Sequence, residues 1–201
     1  LYTVSDMERW QFNGSLPSTV FQRVAFDPGR IQPHDIALAI VHGSFFVVPF
    51  LIAAFAWSRH RPSFSQYMLA TATCFALSLV AFILLPTAPP WMSDPDDVTR
   101  ITYHILRGSG LDASTSGTTV SSAAFWFEPN DTAALPSVHV AMAVLVFLVL
   151  TGIARWGRSI GGLYALAMSV SVVYLGEHFV LDVITGWLVA LAAWRLTRPR
   201  H

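Results

Sequence analysis

Lysine is absent from this chain of 201 residues: all 12 basic residues are arginine, and 12 acidic residues bring the formal net charge to zero. That balance leaves no basic surface for a phosphate backbone and argues against a dedicated nucleic-acid binder. Cysteine is nearly absent too. The single Cys74 lies in an apolar run, which excludes an intramolecular disulfide and any cysteine-built zinc site. Charged residues make up only 12% of the chain against 54% hydrophobic, and the mean hydropathy is +0.53. So little polar surface excludes an ordinary soluble domain and implies an integral membrane protein. The polar start at Leu1 has neither the charged opening nor the apolar centre of a signal peptide, so an upstream segment is expected to have been removed. No repeat, low-complexity tract or soluble second domain is evident, and residues 1–201 read as one membrane-embedded domain.

Five apolar stretches follow one another. A spanning helix needs roughly 20 apolar residues, because about 30 Å of hydrocarbon is crossed at 1.5 Å per residue. Ile36 to Trp57 and Gln66 to Leu85 reach that length, while Val138 to Ala154, Ile160 to Gly176 and His178 to Trp194 run about 17 residues each, the lower limit. The predicted class is therefore an all-α integral membrane bundle with five spanning helices. Arg59 and Arg61 follow the first stretch, Arg155 and Arg158 the third, and Arg195, Arg198 and Arg200 the fifth. Alternation places these seven arginines on one side with no acid, which marks it as cytoplasmic. Residues 1–35, the connector 86–137 and the turn at Glu177 fall on the extracytoplasmic side. All 12 acids lie there or, for Asp182, just inside the membrane from it.

The 86–137 connector is too long to be a mere link. Ser93 to Asp97 reads as a helix start, with acids near the positive N-terminal dipole, and Val98 to Arg107 as the short helix that follows. Arg100, His104 and Arg107 then share one face. Ser114 to Ser122, rich in Ser, Thr and Gly, reads as a surface loop.

An ionisable side chain inside a span is costly to bury and marks a functional candidate. The last stretch carries two, His178 and Asp182, four residues apart and hence on one helix face. A carboxylate so placed accepts the Nδ1 proton of the imidazole and leaves Nε2 free to attack, although a packing histidine satisfied by a neighbour is the plainer alternative. The second constellation is Leu135-Pro136-Ser137-Val138-His139, a helix N-terminus whose free N–H groups favour an anion. The topology puts His139 and His178 at the same membrane face. Pro86-Thr87-Ala88-Pro89-Pro90-Trp91 closes the second span there as a rigid extended turn.

Leu135 to His139, followed by Tyr174-Leu175-Gly176-Glu177-His178-Phe179-Val180-Leu181-Asp182, resembles the type 2 phosphatidic acid phosphatase superfamily. Pro86 to Trp91, with Asn13-Gly14-Ser15-Leu16-Pro17, resembles its branch related to inositol phosphorylceramide synthase. The resemblance implies a six-helix fold with the first helix lying before Leu1, and a membrane phosphoesterase working through a phosphohistidine. His178 would be the nucleophile and Asp182 its orienter. His139 would protonate the leaving oxygen and later activate water or an acceptor hydroxyl, while Ser137 and nearby backbone N–H groups cradle the phosphate. The implied partners are a lipid phosphate or diphosphate and, for transfer rather than hydrolysis, a lipid hydroxyl acceptor. The implied site faces the extracytoplasmic side of the plasma membrane, with no cofactor.

This chain departs from the wider superfamily in having Pro86 to Trp91 where a Lys and Arg motif stands, and Val172 where an Arg stands six residues before the nucleophile. Phosphoryl transfer depends on positive groups around the equatorial oxygens. Arg100, His104 and Arg107 are the candidate replacements, with Arg23 and Arg30 behind them. The same trio also reads as the headgroup-facing side of an amphipathic helix. Glu177 stands where the branch often has His, a change that bears on headgroup choice.

His42, some 10 Å into the first stretch at 1.5 Å per residue, reads as a packing or interhelical hydrogen-bonding residue before a catalytic one. Trp57, Trp91, Trp126, Trp187 and Trp194 read as interfacial anchors. His139, His178 and Asp182 have the chemistry to bind a metal, but nothing else in the sequence asks for one, and none is expected. The competing class is a transporter or lipid-binding protein using His178 and Asp182 as a proton relay. It would call for broken helices in repeated halves, which the sequence lacks.

Overall fold

The computed structural model describes residues 4–108 and 133–198, with the side chains of residues 4–106 and 133–198. Every regular element among them is helical. The expected loop Ser114–Ser122 and Trp126 lie outside the described residues. Two short helices come first, α1 (Val4–Gln11) and α2 (Pro17–Ala25). Between them Asn13 and Gly14 take the left-handed conformation, with φ of 53° and 87°.

The stretch expected as one span at Ile36–Trp57 is broken. It forms α3 (Pro33–Gly43), a single 3₁₀ turn at Ser44–Phe46, and α4 (Val48–Arg59), with a bend of 54° between the two helices. Pro49 is the physical reason: it has no N–H to donate to the preceding turn, and its ring crowds that turn's carbonyls. α5 (Arg61–Leu84) is continuous over 24 residues, capped by His60 Nδ1, which accepts the N–H of Ser63 at 3.2 Å. The three remaining expected spans are α8 (Val138–Ile153), α9 (Gly157–Tyr174) and α10 (Val180–Leu196), of 16, 18 and 17 residues. By length and composition, one helix among the described residues is long and apolar enough to cross a membrane, or two if the bent pair is one span.

Helix α8 is the axle. It is hydrophobic all round, as a helix enclosed over most of its length must be, and Val140 through Val146 are all buried. α9, α10, α5 and α4 pack around it, and α3 lies against α9. Gly186 on α10 allows the closest approach. A Cβ there would stand 2.6 Å from the Ser137 carbonyl oxygen, so only glycine lets the start of α8 sit on α10.

The connector from α5 folds over the end of the bundle at which α8 and α10 begin. It carries α6 (Pro90–Ser93) and α7 (Ile101–Gly108). α7 begins three residues later than the sequence suggests, because the acidic run forms a turn whose Asp94 and Asp97 carboxylates are both engaged by Arg9 of α1, at 2.8 and 2.7 Å. That ion pairing holds the Asp97 carboxyl below its usual range. Ala134 N–H donates to the Thr87 carbonyl at 3.0 Å, and Ile101 N–H to the Leu175 carbonyl at 3.2 Å. Gln22 of α2 ties the same region together, donating to the carbonyls of Thr99 and Tyr174 and accepting from Thr99 N–H.

Candidate active site

Gly176 ends α9 with φ of +80°, a conformation few L side chains adopt, and a Cβ there would meet the Thr99 carbonyl oxygen at 2.8 Å. The reversal turns the N–H groups of Glu177 and His178 back onto the Val172 carbonyl, at 3.0 and 3.1 Å. His178 is thereby fixed immediately before the first turn of α10. Asp182, in that turn, uses one oxygen twice: Oδ2 accepts the Phe179 N–H at 2.9 Å and lies 3.3 Å from His178 Nδ1. A capping carboxylate and a ring-orienting carboxylate are here one group.

His139 arrives from the first turn of α8. The start of α8 is pinned to α10 by Ser137 N–H donating to the Asp182 carbonyl at 3.0 Å. His139 Nδ1 lies 3.4 Å from His178 Nε2, and the ring centroids are 5.6 Å apart. Asp182, His178 and His139 thus form a chain of three groups, each within contact of the next. With Nδ1–H of His178 given to Asp182, its Nε2 presents a lone pair towards the space shared with His139.

The phosphate-binding candidates are dispersed. Ser137 is buried, and its Oγ accepts the Val140 N–H at 3.4 Å as the N-cap of α8. Arg100 donates from Nε to Glu177 Oε1 at 3.1 Å and lies over the Trp91 ring at 4.7 Å. It therefore stands beside the residue preceding the candidate nucleophile. His104 packs edge-on against Phe26, with centroids 5.3 Å apart. The side chain of Arg107 lies outside the described residues, and Arg23 and Arg30 are exposed. Among the described residues, no group of three or more His, Cys, Asp or Glu side chains has the geometry to hold a metal ion.

Two further residues belong to this cluster, one that the sequence reads first as a packing residue and one that it does not single out. His42, at the end of α3, has its ring 4.5 Å from that of His139, and its buried Nε2 has no hydrogen-bond partner among the described residues. The only sequence signal was a histidine inside an apolar run, which the packing reading also explains. Glu8 of α1 is buried, and its Oε1 accepts the Leu181 N–H at 3.1 Å, next to Asp182. Burial pushes the Glu8 carboxyl up to about 7; backbone hydrogen bonds oppose the rise and the nearby Asp182 charge adds to it. Nothing local in a polar helix announces that contact. Glu177 is also buried, held by Arg100 and by the Thr102 hydroxyl at 3.0 Å.

The chain is similar to the inositol phosphorylceramide synthase of Candida albicans, 25% identical over 174 residues, covering 81% of this chain and 35% of that protein. It spans about a third of the length of that curated relative. Among solved structures it superposes on that of Aquifex aeolicus LpxE with a TM-score of 0.64, covering 89% of this chain and 92% of the other at 19% identity, a likeness of fold. Residues 31–196 match the sequence model of the PAP2 superfamily, a span that takes in both ends of the bent helix, His139, His178 and Asp182, and to that family the chain belongs.

Proposed function

We propose that this chain is an integral-membrane lipid phosphatase or phosphotransferase that works through a phosphohistidine on His178. The observation that carries the reading is the contact chain itself, with His178 Nδ1 3.3 Å from Asp182 and Nε2 3.4 Å from His139. In the first step Nε2 attacks phosphorus, the P–N bond forms and the P–O bond to the leaving group breaks. Protonated His139 gives its proton to the departing oxygen. In the second, water or a lipid hydroxyl attacks the phosphorus and yields its proton to His139, and the P–N bond breaks. Asp182 holds the ring and offsets the charge that develops on it. The family relationship and the similarity to a named inositol phosphorylceramide synthase support a lipid phosphate substrate.

On this reading α3 to α5 and α8 to α10 traverse the bilayer as five spans, the first of them bent, with residues 1–35 and 86–137 on the extracytoplasmic side of the plasma membrane. Arg100 supplies a guanidinium one residue removed from the nucleophile, through Glu177. The backbone N–H groups at the start of α8 add the anion-favouring end of a helix.

The test is purified protein with a panel of lipid phosphates and diphosphates, with and without lipid alcohol acceptors, scoring free phosphate against transferred headgroup. Turnover of at least one substrate, lost in His178→Ala, is expected. No turnover of any would remove the enzymatic reading.

A further inference from the structure

Helix α10 lacks the residue that would ordinarily start it. An N-cap side chain lends an oxygen to the N–H of the second or third helical residue, and Phe179, which holds that position, has no oxygen to lend. Asp182 closes half of the first turn by accepting the Phe179 N–H. The other half is closed from the far end of the chain: Glu8 Oε1 of α1 accepts the N–H of Leu181, the second helical residue, with the Val180 N–H beside it. Glu8 is wholly buried, and its Oε2 has no hydrogen-bond partner among the described residues. A carboxyl so placed is costly to bury, and the bond it makes ends on the residue immediately before Asp182.

The rest of α1 grips the opposite flank of the site. Arg9, next to Glu8, engages Asp94 and Asp97 of the connector, and Ser5, one turn earlier, donates its hydroxyl to Asp94. The connector in turn holds the end of α9, with Trp91 N–H donating to the Gly176 carbonyl at 3.3 Å and Ile101 N–H to the Leu175 carbonyl. Residues on both sides of His178 are thus tied to α1, which lies before the span 31–196 that matches the family's sequence model.

We propose that Glu8 is a positioning residue for the reaction: as the missing cap of α10, supplied by a separate helix, it holds the turn from which Asp182 aims the His178 ring. The proposal rests on the enzymatic reading above and adds to it a residue that acts through Asp182. What the turn needs from Glu8 is an acceptor oxygen at the reach of a glutamate side chain, not a charge. Glutamine has that oxygen and that reach. Aspartate has the charge but is one methylene short.

The test compares the purified parent, Glu8→Gln and Glu8→Asp on dioleoyl phosphatidate in mixed micelles at pH 7. In Glu8→Asp kcat should fall by about tenfold to a hundredfold, the upper end being the cost of a misplacement of about 1 Å. KM should stay within about twofold, because the substrate's own contacts are unchanged. Glu8→Gln should keep kcat within about threefold of the parent. Amide exchange in the same proteins needs no turnover: peptides covering 178–184 should exchange about tenfold faster in Glu8→Asp, the scale of a lost cap, while those from the middle of α8 stay as in the parent. Parental kcat in Glu8→Asp would overturn the proposal. So would activity lost in Glu8→Gln and kept in Glu8→Asp, which would assign the role to charge, and so would exchange that rises equally in α8 and α10 or in neither. Inactivity of the parent strikes the enzymatic reading instead, and the exchange comparison still decides whether Glu8 caps α10.

Discussion

Gly186 of α10 lies directly beneath the carbonyl oxygen of Ser137, so close that a Cβ would be 2.6 Å away. The atom in the way is backbone at the first turn of α8, two residues before His139, and it has no rotamer by which to withdraw. Gly186→Ala gains up to about 1 kcal/mol of helix propensity. It loses about 1–3 kcal/mol to overpacking. The expected net result is a lower Tm and a displaced His139. Because a displacement of about 1 Å can cost on the order of 10²-fold in rate, activity should fall further than stability. Parental turnover in Gly186→Ala would show that the two helix ends are not held in this register during catalysis.

The roles of the two histidines separate by trapping. His178→Ala should abolish both turnover and capture of labelled phosphate on the protein, since on the proposed mechanism the adduct forms on that imidazole. His139→Ala should retain the nucleophile and lose about 10²- to 10⁴-fold in rate, the usual contribution of a general acid. The loss should be smaller on a diphosphate, whose leaving group needs a proton less. Labelled phosphate accumulating on His178→Ala would transfer the nucleophile's role to His139.

Glu8 makes stability depend on pH in a direction opposite to the usual carboxylate. Its pKa is raised from 4.5 to about 7 in the folded chain. The folded state therefore holds a proton that the unfolded state releases. The stability linked to it is fully present below about pH 4.5 and is lost as pH rises through about 7. The total is roughly 3.5 kcal/mol at most, at about 1.4 kcal/mol for each tenfold gain in proton affinity. Glu8→Gln keeps an acceptor for the Leu181 N–H and cannot ionise. Thermal unfolding between pH 5 and 8 should show a falling Tm in the parent and a flatter profile in Glu8→Gln, with the variant more stable at pH 8. Parallel profiles would mean that the carboxyl titrates normally.

Sidedness is open to a labelling experiment, since Arg30 and Ser159 are exposed at opposite ends of the bundle. A cysteine at position 30 should react with an impermeant thiol reagent added to intact cells, and one at 159 should not. The native Cys74 is buried and gives a low background. The reverse pattern would turn the histidines towards the cytoplasm.

The sequence made the helical class and the pairing of His178 with Asp182 legible, because both are written locally: one in runs of apolar residues, the other in a spacing of four. The meeting of His139 with His178 followed from counting spans. What stayed hidden was set by contacts between distant residues. Pro49 sat in plain view, yet an apolar run does not say whether its helix bends or ends there. Glu8 reaches Leu181 across most of the chain, and no periodicity in a polar segment encodes that. Arg100, His104 and Arg107 share a face on paper, but α7 begins only at Ile101, so Arg100 precedes the helix. Glu177 took the first and Phe26 the second.

The double use of Asp182 Oδ2 ties chemistry to folding. The same oxygen closes the first turn of α10 and stands at the ring of the candidate nucleophile. Fraying of that turn therefore releases the imidazole at the moment it releases the helix end. On the proposed mechanism, winding the first turn of α10 and aiming the nucleophile are then one event.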